Sequence, residues 1–205
     1  KGSLTFTHLY FQNGSGKQSL TRLSSYISRF MCFQITLTKT YNQASLLEDI
    51  RTLYRNAGAG KGTTFLFTES EIKAESFLET LNSVLMTGEV PGLFAKDEIM
   101  AMTAELRPSF IKNRPGVEET QDNLKAYLTD VTRDNLHLML CMSPLNPKFP
   151  ERARRFPGLV SAPTIDWFLP WPEEALVAVS KGFLGKFEMA CDDDIKNNVM
   201  TTMGP

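Results

Sequence analysis

Asn13-Gly14-Ser15-Gly16-Lys17-Gln18-Ser19 follows the apolar-rich run Leu4 to Phe11 and precedes a helical pattern that runs on to Phe30. A strand feeding a glycine-rich turn that opens a helix cradles a phosphate group. Successive backbone N–H groups point inward, and the helix N-terminus adds partial positive charge. Lys17 would then reach the outer phosphates. The full P-loop pattern asks for Gly six positions before this lysine and Ser or Thr just after it, and those places hold Phe11 and Gln18. The loop is recognisable and damaged. Asn13 tolerates left-handed conformations, but Phe at a glycine position is costly. Because a short Gly-Ser-Gly-Lys run also serves as a plain flexible turn, the weight of the reading falls on the rest of the chain.

With 205 residues and a formal net charge of -1, the chain can bury one sizeable core with a small appendage. A near-neutral balance gives no electrostatic reason to expect nucleic acid or an anionic membrane as partner. No apolar run approaches the roughly 20 residues of a membrane span, and no signal-peptide pattern opens the chain. A soluble, intracellular protein is expected. Cys32, Cys141 and Cys191 lack Cys-x-x-Cys spacing and read as ordinary thiols, with neither a disulfide framework nor a zinc site. Leu9-Tyr10-Phe11-Gln12 looks like part of a protease-cleavage tag, so residues 1–12 read as an added or atypical first strand.

Beyond the loop, Leu20, Leu23, Tyr26 or Ile27, and Phe30 keep near-helical spacing and predict the inward face of a helix over Gln18 to Phe30. Phe33 to Thr38 predicts a second strand. Leu46, Leu47, Ile50, Leu53 and Tyr54 form one face of a helix ending at Gly58. Thr63 to Thr68 is the continuous apolar and β-branched run of a strand buried on both faces. Phe77, Leu78, Leu81 and Leu85 mark a helix closed by Gly88, followed by the Pro91-Gly92 turn. Helical stretches from Asp97 to Leu106 and from Val117 to Thr132 precede a strand over Leu136 to Met142. A short strand near Thr164 to Phe168 follows, then a helix start at Trp171-Pro172-Glu173-Glu174. Phe65, Phe67, Trp167 and Trp171 read as packing residues, Met100 and Met102 as gap fillers, and His137 as a satisfied core residue. Alternating helices and strands argue an α/β fold with a mostly parallel sheet covered on both faces.

Ligands of such a sheet sit beyond the carboxyl ends of its strands, which points to Asn13 to Ser19, to Thr68 and Glu69, and to Ser143. Nucleotide hydrolysis needs a phosphate cradle, a carboxylate that orients or deprotonates water, and a polar group that senses the γ-phosphate. Gly14-Ser15-Gly16-Lys17-Gln18-Ser19-Leu20-Thr21-Arg22-Leu23, Phe65-Leu66-Phe67-Thr68-Glu69-Ser70-Glu71-Ile72, Gly88-Glu89-Val90-Pro91-Gly92-Leu93-Phe94, Asn135-Leu136-His137 with Cys141-Met142-Ser143-Pro144, and Ile165-Asp166-Trp167-Phe168 occur in that order. Together they resemble the fourth AAA+ module of an axonemal dynein heavy chain, from about Gly14 to about Phe187.

The resemblance implies a P-loop NTPase of the AAA+ type, a three-layer sandwich around a five-stranded mostly parallel sheet. Residues 13–170 would form the large α/β subdomain, and residues 171–205 the start of a truncated helical lid. It implies ATP or ADP as ligand, held by Gly14, Ser15, Gly16, Lys17, Gln18 and Ser19. Thr68 then stands at the magnesium-binding aspartate, Glu69 at the catalytic glutamate and Ser143 near the sensor position. Arg152, Arg154 and Arg155 are candidates for an arginine finger toward the neighbouring module. Mg2+ would be held weakly, since Gln18 replaces the loop hydroxyl and Thr68 brings no charge. Ser19 cannot take over, because the next helical residue is turned by about 100°. The implied partners are neighbouring AAA+ modules of the same heavy chain, with microtubules met only through other parts of the motor. The implied place is the cytoskeleton of a cilium or flagellum. Slow or absent turnover and a regulatory role are expected. A nucleotide-free structural module of the ring is the alternative, and a small P-loop kinase a third.

Overall fold

The computed structural model describes residues 8–11, 16–167, 171–188 and 190–202, the first of these segments by its backbone. Two compact units divide the chain, residues 1–167 and residues 168–205. In the first, strands β1 (His8–Phe11), β2 (Met31–Gln34), β3 (Thr63–Thr68), β4 (Leu136–Cys141) and β5 (Thr164–Trp167) join in the order β2-β3-β4-β1-β5. Every pairing is parallel. Helices α1 (Lys17–Ile27), α2 (Gln43–Gly58), α3 (Glu75–Thr87), α4 (Lys96–Asn113), α5 (Gln121–Asn135), α6 (Phe149–Arg155) and α7 (Gly158–Ser161) make the connections.

The core forms where apolar stretches can be covered from both sides. All six residues of β3 are buried, as a strand with neighbours on both edges and helices on both faces requires. Leu46, Ile50, Leu53, Tyr54 and Ala57 bring the predicted face of α2 into the same cluster as Phe65, Phe67, Phe77, Leu78 and Leu81. Asn42 caps α2 by accepting from the backbone N–H groups of Ala44 and Ser45 at 3.0 and 3.2 Å. Gly88, at φ 74°, ends α3 in the left-handed conformation that a side chain resists. Phe110, Leu124 and Tyr127 form a smaller cluster between α4 and α5, with the Phe110 and Tyr127 rings edge to face at 5.4 Å. That packing carries α4 through Pro108, past the end predicted at Leu106.

The sharpest departure concerns α1. Its buried residues are Lys17, Thr21 and Ser25, whereas Leu20, Leu23, Tyr26 and Ile27 are 47%, 55%, 82% and 71% exposed. The helix grows directly from Gly16, so the orientation of Lys17 sets which face turns inward, and positions i+4 and i+8 follow it. The buried hydroxyls are satisfied locally: Thr21 Oγ1 donates to the Lys17 carbonyl at 2.9 Å and Ser25 Oγ to the Thr21 carbonyl at 2.8 Å. β2 also differs, ending at Gln34, because its ladder to β3 runs only from Met31 opposite Thr63 to Gln34 opposite Leu66. Trp167 is 67% exposed and Met100 58%, so neither fills the core.

In the second unit, helix α8 (Glu173–Leu184) opens after Pro172 with Glu173 and Glu174 in its first turn. Helix α9 (Asp193–Thr202) sends Lys196 Nζ to the carbonyls of Gly185 and Phe187 at 3.1 and 2.8 Å, covering the end of α8 with a cation.

Candidate functional site

The strand order turns around β1: the chain leaves it for the β2 edge, returns through β3 and β4, and then places β5 on its other side. A crevice at such a reversal, outside the carboxyl ends, is where an open α/β sheet receives a ligand. Register brings those ends level, since Cys141 faces both Tyr10 of β1 and Thr68 of β3. Gly14 and Ser15 lie outside the described residues. Gly16 takes φ 76° and ψ 8° as it enters α1. Lys17, the first helical residue, is only 7% exposed. Gln18 and Ser19 are exposed.

Burial pulls the Lys17 ammonium below its usual range, opposed by negative charge on Cys141, which is present only once that thiol ionises, and on the Glu69 carboxylate. The Cys141 thiol is pushed up to about 11 by burial, against the opposing charge of Lys17. It stays protonated at neutral pH.

Glu69 opens a short 3₁₀ turn over Glu69–Glu71 at the end of β3. Its Oε2 accepts the backbone N–H of Ser143 at 3.2 Å, its Oε1 accepts from Asn146 Nδ2, and Arg152 Nη1 lies 3.5 Å from that same Oε1. Ser143 follows β4 and is 3% exposed, and its hydroxyl is buried without a hydrogen-bond partner. A buried hydroxyl left unpaired costs free energy unless something arrives to meet it.

Glu71, 5% exposed, turns the other way. It accepts the Thr68 N–H at 2.5 Å and Gln34 Nε2 at 2.8 Å, while Arg22 Nη2 donates to Gln34 Oε1 at 2.5 Å. Burial raises the Glu71 carboxyl, and the hydrogen bonds from Thr68 and Gln34 and the charge of Arg22 oppose that. It is thus a carboxylate that braces the turn, joined through Gln34 to α1.

Thr68, 4% exposed, pairs its Oγ1 with Ser70 Oγ at 2.9 Å, so the hydroxyl that would face a magnesium ion has a protein partner already. Among the described residues no three His, Cys, Asp or Glu side chains gather as a metal-binding group. Gln18 and Thr68, which stand at the two expected cation positions, bring no charge to such an ion.

The three arginines separate. Arg152 is 8% exposed and points inward, with Nε and Nη2 on Glu75 Oε1 at 3.1 and 2.9 Å. Arg154 and Arg155 are exposed, the first donating to the Pro150 carbonyl at 3.3 Å and the second lying 5.3 Å over the Phe156 ring. His137 is buried and stacks on Phe30 at 4.8 Å, and burial lowers its pKa.

Glu69, Ser143 and Arg152 thus meet in one cluster, drawn from distant parts of the sequence, and Lys17 is buried at the start of α1. Gln34, Glu75, Cys141 and Asn146 were missed by sequence reasoning. Asn146 alone had a local signal: Asn146-Pro147 marks a turn, and Asn146 Oδ1 accepts the Lys148 N–H at 2.9 Å.

The family described as the P-loop containing dynein motor region D4 matches residues 9–204. "Dynein axonemal heavy chain 5" of Mus musculus is 52% identical over 192 residues, 93% of this chain and 4% of that protein. "Dynein axonemal heavy chain 8" of Homo sapiens is 50% identical with the same two coverages. "Dynein gamma chain, flagellar outer arm" of Chlamydomonas reinhardtii is 46% identical, again over 93% of this chain and 4% of the relative. The chain therefore spans about 4% of the length of these curated relatives.

Proposed function

This chain belongs to the family of the P-loop containing dynein motor region D4, and from that premise we propose that it is the fourth AAA+ module of an axonemal dynein heavy chain. In this reading it binds ATP or ADP, turns it over slowly or not at all, and uses its occupancy to bias the conformation of the motor ring. Residues 13–170 act as the large subdomain and residues 171–205 as the beginning of the lid. Neighbouring AAA+ modules of the same heavy chain are its direct partners, and other parts of the motor meet the microtubule in the axoneme of a cilium or flagellum. Among the described residues no helix is long and apolar enough to cross a membrane.

The observation that supports the nucleotide reading is the Ser143 hydroxyl, buried and unpartnered, on the residue whose N–H binds Glu69, at the strand ends where the buried Lys17 opens α1. Gly16, Lys17 and the backbone N–H groups that open α1 supply the phosphate side, with Gly14 and Ser15 completing the loop. Ser143 serves as the sensor hydroxyl and Glu69 as the water-orienting carboxylate. Exposed Arg154 or Arg155 is the finger toward the neighbour's nucleotide. Slow turnover follows from the cation's side of the site, because Thr68 has no charge and Gln18 replaces the loop hydroxyl.

Titration of the folded protein with ATP and ADP, with and without magnesium, tests this. Binding of both nucleotides with little magnesium dependence is expected, and its loss in Lys17→Ala. A folded protein that takes up neither nucleotide would return the chain to a purely structural place in the ring.

A further inference from the structure

Between α2, α4, α5 and the loop that follows α3 lies a cavity of about 170 Å³. Its walls are largely apolar, built from Val90, Leu93, Phe94, Ile99, Met102 and Leu128. The loop is pinned from both sides. From α2, Tyr54 Oη donates to the Gly88 carbonyl at 2.9 Å and Arg51 Nε to the Leu93 carbonyl at 2.6 Å. From α5, Thr129 Oγ1 donates to Glu89 Oε1 at 2.9 Å, and Lys125 Nζ lies 3.4 Å from Glu89 Oε2. Those polar groups satisfy one another. Thr132 stands apart: it lines the same cavity and is 3% exposed, and its hydroxyl makes no hydrogen bond among the described residues.

We propose that this cavity binds a small uncharged aromatic molecule, about the size of indole, whose one hydrogen-bonding group meets Thr132 Oγ1. Apolar cavities of roughly 150 Å³ stay dry and take up a ring the size of benzene, because a water there would lack the roughly two to four polar partners it needs. A charged ligand would give up its hydration against apolar walls, and Glu89 and Lys125 already face each other. A loop held in place before binding spares the ligand the cost of ordering it. The site stands apart from the nucleotide reading, since α3, 13 residues and hence about 20 Å long, separates the turn at Glu69 from Gly88.

The test is amide hydrogen exchange on the full-length heavy chain, read by peptide mapping with and without indole. At about ten times its dissociation constant, indole should slow exchange about tenfold in peptides covering 88–102 and 125–132, wherever exchange requires the cavity to open. Indene, which has nearly the same shape without the N–H, should bind about two- to tenfold more weakly, and the nearly isosteric Thr132→Val should remove that difference. Ile99→Trp, which fills the cavity from its wall, should abolish the effect of indole. Should Ile99→Trp not fold, the indole-to-indene ratio in Thr132→Val decides alone. No slowing in the unsubstituted chain, equal slowing in Ile99→Trp, or a preference for indole kept in Thr132→Val overturns the proposal. So do amides that are slow without indole and faster in Ile99→Trp, which would place another segment of the heavy chain in the cavity.

Discussion

Gln34 Nε2 donates to Glu71 Oε1 at 2.8 Å, tying the last residue of the β2 edge strand to the turn that follows β3. The same Gln34 accepts from Arg22 on α1, so the helix that begins at Lys17 and the turn that begins at Glu69 share a hydrogen-bonded strut. Replacing Gln34 by Ala leaves the buried Glu71 carboxylate with one donor fewer. A loss of about 1–3 kcal/mol in unfolding free energy is expected from urea titration at neutral pH.

Glu71 also sets a pH dependence. Its carboxyl is raised in the folded protein, chiefly by burial. The folded state therefore holds a proton that the unfolded state has released in the window above the ordinary carboxylate value. In that window stability declines as pH rises, until the folded group has also ionised. Glu71→Gln should flatten this decline in a series of denaturant titrations from acid to neutral pH. A slope identical to that of the unsubstituted protein would mean that Glu71 is not its source.

Ser143→Ala should separate folding from binding. Its hydroxyl has no protein partner, so removing it should leave stability unchanged or raise it by up to about 1 kcal/mol, the desolvation cost of the orphaned group. Nucleotide affinity should fall at the same time. A thermal melt and a nucleotide titration on the same preparation check both, and a marked loss of stability would assign the hydroxyl a structural partner.

The facing of α1 inverts what hydropathy leads one to expect. Thr21 is 1% exposed and Leu20 47%. Thr21→Leu should cost about 1–3 kcal/mol by overfilling a packed site. Leu20→Gln should stay within about 0.5 kcal/mol. Paired unfolding titrations with the two effects reversed would show that the helix presents its apolar side to the sheet.

Gly88 should resist substitution twice over. It adopts φ 74°, and an added Cβ would meet Arg133 Nε at 2.3 Å. Gly88→Ala should cost more than about 1 kcal/mol from the backbone conformation alone, read from unfolding titrations.

Wherever local pattern and burial agree, the amino-acid order by itself determined the outcome. The continuous run Thr63 to Thr68 could only be a strand covered on both faces, the stripe from Leu46 to Tyr54 a helix against it, and Gly88 a helix end. The positions of Lys17, Glu69 and Ser143 beyond strands of the sheet could be read from the order of the predicted elements, and such strand ends are where a parallel sheet receives ligands. Tertiary structure alone decided the rest. Which side of α1 faces inward depends on how the helix leaves its glycine turn, and a hydropathy pattern carries no information about that angle. Which donors hold Glu69 depends on contacts such as that with Asn146, 77 positions away, made only once β3 and β4 lie side by side. Hydrogen-bond geometry at that range is set by packing, and no spacing in the sequence encodes it.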